Sequence, residues 1–132
     1  MMRLLDTNIC VYLIRRKPPA VFERLARAER GGVALSVVTA FELEVGAVRS
    51  AGYRYATLVA EFLGEFSLLP LDDRVRQTYA RERVALEQSG QMIGPLDMLI
   101  AAHALTLSAT LVTNNEREFR RVKGLRVENW VE

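Results

Sequence analysis

At 132 residues, half of them apolar and about a quarter charged, the chain has the size and composition of one globular domain over residues 1–132, with enough apolar surface for a core. Its longest apolar stretch, Met98 to Val112, is interrupted by His103, Thr106, Ser108 and Thr110 and is too short to cross a bilayer. The N-terminus reaches Asp6 after only two leucines, so neither a membrane span nor a signal peptide is expected.

The single cysteine, Cys10, excludes an internal disulfide and, between Ile9 and Val11, reads as a small core residue of a cytoplasmic protein. The net charge is only +2, but sixteen of the eighteen basic residues are arginine, whose planar fork suits phosphates and carboxylates. They gather at Arg15, Arg16 and Lys17 and again at Arg117, Arg120, Arg121 and Lys123. Taken alone, either group reads first as cations at helix C-termini or as a solvated face.

In chain order, Met2 to Leu5 is a short apolar strand that stops at Asp6-Thr7-Asn8, and Ile9 to Ile14 has the length and flanks of a helix ending near Arg16. Pro18 and Pro19 break the chain. Val21, Phe22, Leu25 and Ala28 then recur at helical spacing up to the stop signal Gly31-Gly32. Val33 to Leu35 is strand-like, and Ser36 can cap a helix that carries Glu42 and Glu44. Tyr53 to Phe66 is helical, Ser67 to Leu71 is a strand stopped by Pro70, and Asp72 or Asp73 caps a long polar helix to Gln88, ended by Ser89-Gly90.

Pro95 can open the next helix, whose apolar run gives way to the strand Thr110 to Thr113 and then to a polar loop, Asn114 to Glu118. Gly124 marks a turn, Arg126 to Glu128 form an edge strand, and Trp130 packs the tail down. Strands separated by helices imply crossover connections, hence an α/β fold whose mostly parallel sheet has helices on both faces. If the first and fourth strands are parallel neighbours, Asp6 and the segment Asn114 to Glu118 emerge on one rim of the sheet, where such folds place their ligands. Glu42 and Asp97 reach that rim from the early turns of flanking helices. Asp97 shares a helical face with Ile100, Ala101 and Ala104, so its carboxylate is turned toward the core side.

Acids converging on one rim repel one another unless protons or a cation intervene, and a hard divalent ion such as Mg²⁺ or Mn²⁺ takes oxygen ligands of this kind. No histidine pair at metal spacing and no CxxC point to zinc. Each acid also has a simpler reading. Asp6 can be an N-cap worth about 1 kcal/mol, and Asp97 can complement the helix dipole at about 0.3–1 kcal/mol. Glu42 and Glu44 diverge on their helix, so at most one faces a given ion, and periodicity does not choose between them. The lone His103 reads as a hydrogen-bonded interior histidine. Neither a Ser-His-Asp arrangement nor a phosphate-cradling glycine loop is visible.

The segments LLDTN at Asp6, SVVTAFEL ending on Glu42-Leu43, GPLDMLIAAHAL around Asp97, and LVTNNEREF resemble the successive motifs of PIN-domain ribonucleases, above all the VapC-type toxins of bacterial toxin–antitoxin pairs. The likeness runs from Met2 to Trp130. It implies a three-layer α/β/α sandwich, Mg²⁺- or Mn²⁺-dependent endoribonuclease activity leaving 5′-phosphate and 3′-hydroxyl ends, and a cognate VapB-type antitoxin. From family habit it also implies a homodimer, with exposed apolar residues between Tyr53 and Phe66 as a surface. It carries catalytic roles onto Asp6, Glu42 and Asp97, the same three acids as metal ligands, and so selects Glu42 over Glu44. Many relatives have an aspartate after TN where this chain has Asn115, whose amide oxygen can still bind a metal; Glu118 is the candidate for the fourth acid. The TNN and REF sequences point to transfer RNA as substrate. The rival expectation is a catalytically silent PIN-like module that binds RNA or a partner without cutting.

Overall fold

A computed structural model of the protein describes residues 1–28 and 30–132. Strand β1 (Arg3–Leu5) ends at Asp6, which caps helix α1 (Thr7–Arg15). Pro19 supplies the pre-set first position of α2 (Pro19–Arg27), which closes at Ala28, whose N–H bonds back to the carbonyls of Arg24 and Leu25. The helix therefore stops short of the expected Gly31-Gly32 signal, and those glycines lie instead in a 3₁₀ turn, Arg30–Gly32, leading into β2 (Val33–Ser36).

Ser36 accepts the Val38 N–H and opens α3 (Val37–Arg49). Helix α4 (Arg54–Leu63) is shorter at both ends than the Tyr53–Phe66 expectation, and β3 (Ser67–Leu69) stops just before Pro70. Asp72, not Asp73, caps α5 (Asp73–Gln88) through the N–H groups of Arg74 and Val75, and Gly90 takes the left-handed φ of +68° that ends it. Helix α6 (Pro95–Thr106) starts on its proline and feeds β4 (Thr110–Val112). The polar stretch expected as a loop contains one helical turn, α7 (Glu116–Phe119), before β5 (Arg126–Glu128) closes the sheet as its edge.

The strand order is β3-β2-β1-β4-β5 and all four pairings are parallel. Alternation along each strand sends side chains to opposite faces. Leu5, Val33, Leu35 and Val112 meet α1, α2 and α4 on one side together with Trp130, while Leu4, Ala34 and Leu111 meet α6, Leu86 of α5 and Phe119 of α7 on the other. Covering on both faces is why the strands read as short, nearly continuous apolar runs. The expected α/β/α sandwich is thus the architecture found, with Cys10 fully buried in the first core. No helix among the described residues is long and apolar enough to cross a membrane.

Candidate active site

Parallel pairing of β1 with β4, Leu5 opposite Val112, brings both strands to their carboxyl ends side by side. Asp6 and Thr113 are consequently neighbours. Asp6 is 5% exposed, its Oδ1 accepts the Ile9 N–H at 2.9 Å, and its Oδ2 accepts the Thr113 hydroxyl. The Asn115 N–H in turn donates to Thr113 Oγ1 at 2.9 Å, so the hydroxyl is held from behind and spends its own proton on Asp6.

The other acids surround this pair. Glu42, half-buried on α3, accepts the hydroxyl of Thr7 at 2.6 Å, a bond between the first turn of α1 and the middle of α3. Glu44 is exposed, as expected for two residues that diverge on one helix. Asp97 is half-buried in the first turn of α6, and Glu118 is half-buried on α7.

Electrostatics tie the set together. Burial, opposed by the bonds from Thr113 and Ile9 and reinforced by the charges of Asp97 and Glu42, pushes the Asp6 carboxyl up to about 6. Asp97 is raised as well, first by burial and then by Glu42 and Glu118. The four acids expected from sequence therefore share one electrostatic neighbourhood, with Asp97 the member that feels both ends of it. Asn115 stands at the N-cap of α7, and it joins the site through its backbone bond to Thr113.

His103 is 1% exposed, lies 2.8 Å from Ser36 Oγ through Nδ1, and is lowered by burial, so it is the neutral interior histidine its sequence context suggested. The basic groups are only partly free. Arg120 pairs with Glu116 at 2.7 Å, Arg121 donates to the Met92 carbonyl at 3.0 Å, and Arg15 and Arg16 lie over the rings of Tyr55 and Phe22.

The pattern of the PIN domain matches residues 3–125. This chain belongs to the PIN-domain family. Among the relatives of this PIN domain, the tRNA(fMet)-specific endonuclease VapC of Shigella flexneri is 38% identical over 96% of both chains. Ribonuclease VapC2 of Rickettsia felis is 37% identical over 98% of both. A chain of the DNA-bound VapBC structure from Salmonella typhimurium superposes with a TM-score of 0.92 at 34% identity, covering 98% of each chain.

For this PIN domain the donor set decides which cation is compatible. It is all oxygen, Asp6 and Asp97 within it are raised by burial and by neighbouring carboxylates, and the chain's one histidine is buried against Ser36, which suits Mg²⁺ or Mn²⁺ and not zinc. Among the described residues no three acids stand close enough to grip an ion together. Mg²⁺ does not require that, since it commonly keeps several waters and is held by one or two carboxylates.

Two site residues were not singled out from sequence, Thr7 and Thr113. Each stands inside a motif, DTN and LVTNN, yet their partners lie 35 and 107 residues away, so only the fold reveals what the hydroxyls do.

Proposed function

We propose that the chain is an endoribonuclease, that it cuts structured RNA of the transfer-RNA class, and that the rim formed by Asp6, Glu42 and Asp97 binds the divalent cation, Mg²⁺ or Mn²⁺, on which cutting depends, with one or two of these carboxylates holding it directly and the others acting through its waters. The observation that carries this reading is the coupling of Asp6, Glu42, Asp97 and Glu118 in one half-buried rim. The names of the relatives, a tRNA(fMet)-specific endonuclease and several ribonucleases, support the substrate class.

When bound, such a cation offsets the carboxylate charge and makes a water acidic enough to attack phosphorus. The chain's own residues prepare for that. Ile9 and Thr113 fix the two oxygens of Asp6, Thr7 fixes Glu42, and Asn115 or Glu118 completes the rim from α7. Exposed Arg117, on α7 beside Glu118, supplies a phosphate contact, which makes affinity fall with salt. An unpaired loop is the favoured target, because base edges in an A-form duplex are hard to reach.

The partner in this reading is a VapB-type antitoxin, in keeping with the VapBC complexes that are its structural relatives. The compartment is the cytoplasm. Two copies pair through apolar surface, for which α3 is better suited than the Tyr53–Phe66 segment. Phe41, Val45 and Val48 are 65%, 49% and 82% exposed along one side of α3, whereas in the Tyr53–Phe66 segment Val59 and Phe62 are buried and the large exposed residues are Tyr53 and Leu58.

Asn115 supports a second reading, a silent PIN module, because an amide stands where many relatives carry an acid. Incubating the purified protein with initiator transfer RNA separates the two. Cleavage that needs Mg²⁺ or Mn²⁺, stops with EDTA and leaves 5′-phosphate ends supports the nuclease; binding without cleavage under either metal supports the silent module.

A further inference from the structure

Away from the acids, on the face of the sheet covered by α2, a polar cavity of about 330 Å³ is lined by Arg3 of β1, Arg24 and Arg27 of α2, Glu128 of β5, Met1 and Trp130. Its one carboxylate is already engaged. Glu128 Oε1 accepts from Arg3 Nε at 3.0 Å and from Trp130 Nε1 at 3.0 Å, and Oε2 accepts from Arg3 Nη2 at 3.1 Å. Arg24 approaches the same carboxylate to only 3.8 Å, beyond hydrogen-bond range, while its guanidinium lies 5.9 Å from the centre of the Trp130 ring. Among the described residues neither Arg24 nor Arg27 donates a side-chain hydrogen bond.

Three arginines thus line a cavity with one carboxylate, which is hydrogen-bonded to Arg3 and within ion-pair distance of Arg24. Like charges gathered in a pocket repel unless an anion joins them, the mirror image of the acid rim. Arg24 is held by its ring and by attraction to Glu128, while among the described residues its N–H fork makes no hydrogen bond, and such a fork matches two oxygens of a phosphate.

With Met1, Arg3 and the end of α2 in its lining, the pocket lies toward the amino ends of the strands, and β5 links it to the acid rim at their carboxyl ends. The Glu128 carbonyl accepts the Thr113 N–H at 2.9 Å, so the residue that anchors the arginines is bonded through its main chain to the one that holds Asp6. We propose that the Arg3–Arg24–Arg27 cavity is a phosphate-binding site, and that in the working protein it takes a backbone phosphate of the RNA whose scissile bond lies at the acid rim. The substrate assignment rests on the nuclease reading; the phosphate site does not.

The test uses the full-length protein and the double variant Arg24→Gln with Arg27→Gln, which leaves the Arg3–Glu128 pair intact. Unchanged melting of the variant in phosphate-free buffer establishes that it is folded; if it melts early, Arg24→Gln alone, which removes one charge and its fork, takes its place. Two probes are used in EDTA, inorganic phosphate followed by thermal shift and labelled initiator transfer RNA titrated across a salt series.

The expected result is that phosphate raises the wild-type melting temperature and not the variant's. RNA affinity should fall roughly fivefold at physiological salt for each phosphate-bound arginine replaced, and the salt slope should shrink by about 1 for each. Loss of the phosphate shift with unchanged RNA affinity and slope overturns the RNA assignment in favour of a free phosphate or nucleotide. No change with either probe overturns the site altogether and leaves an edge-strand ion-pair network. Wild-type RNA binding with the full salt slope but no cleavage in metal removes the nuclease reading and leaves the phosphate site standing.

Discussion

Asp6 performs two tasks in one side chain. It caps α1 through the Ile9 N–H, and it is the most buried member of the acidic rim. The cap alone would keep a carboxylate ionised, yet burial outweighs it and the group titrates near 6 instead of the ordinary 3.8. In the metal-free protein the folded chain therefore keeps a proton that the unfolded chain has lost between those two values. The folded state binds more protons there, so stability falls as pH rises through the window, and above it a cost of about 3 kcal/mol persists. Raised Asp97 acts in the same direction. The lowered carboxylates Asp72, Glu116 and Glu128 act oppositely, each losing its contribution only as pH drops into the acid range. Buried His103, lowered from the ordinary imidazole value, acts oppositely inside the same window, so the Asp6 contribution is read as the difference between wild type and Asp6→Asn in urea unfolding in EDTA at about pH 5 and about pH 7.5. Asp6→Asn should gain stability relative to wild type as pH rises across the interval, and a difference that stays constant or shrinks contradicts the assignment. Thr113 is the partner that tempers the cost. Thr113→Val keeps the volume but removes a hydrogen bond to a charged group, worth about 1.5–3 kcal/mol, and should slow cleavage by about 10- to 100-fold. Thr113→Ser should restore most of the rate; equal rates in all three proteins would show the bond to be incidental.

At the level of elements, β2 and α3 meet at Ser36, which caps the helix and faces buried His103 of α6 at 2.8 Å. One hydroxyl thereby sets α3, the carrier of Glu42, against α6, the carrier of Asp97. Ser36→Ala should lower stability by about 2 kcal/mol, combining a missing cap with a stranded buried imidazole nitrogen. Thermal melts would check this, and a loss under about 0.5 kcal/mol, the low end for a cap alone, would mean the pair contributes nothing. The boundaries around Ser36 and Asp6 were legible in the sequence because a polar cap follows a short apolar run, and Pro95, Asp72 and the edge strand Arg126–Glu128 were legible for equally local reasons. Helix α7 was not, since four residues are too few to show a period. The early end of α2 was hidden because Ala28 closes it with backbone bonds alone, with no glycine at the cap. The bonds Thr7–Glu42 and Thr113–Asp6 join segments far apart in sequence, which no local pattern encodes.

Across the whole molecule, the order β3-β2-β1-β4-β5 puts two adjacent inner strands, β1 and β4, at the point where Asp6 and Thr113 emerge, and arranges α3, α6 and α7 around them. Acids distant in sequence are concentrated there because connections between parallel strands leave the carboxyl ends on one side. The central claim is that these acids oppose one another until a cation joins them, and Asp97, which feels both Glu42 and Glu118, reports on it best. The most direct measurement is the melting temperature of wild type and Asp97→Asn at neutral pH, first in EDTA and then across an Mg²⁺ series. The expected result is that the variant without metal melts at or above wild type, and that Mg²⁺ raises the wild type by mass action and the variant less. A variant that is less stable in EDTA, by the about 0.3–1 kcal/mol that a helix-dipole interaction supplies, and that responds to Mg²⁺ as wild type does would contradict it.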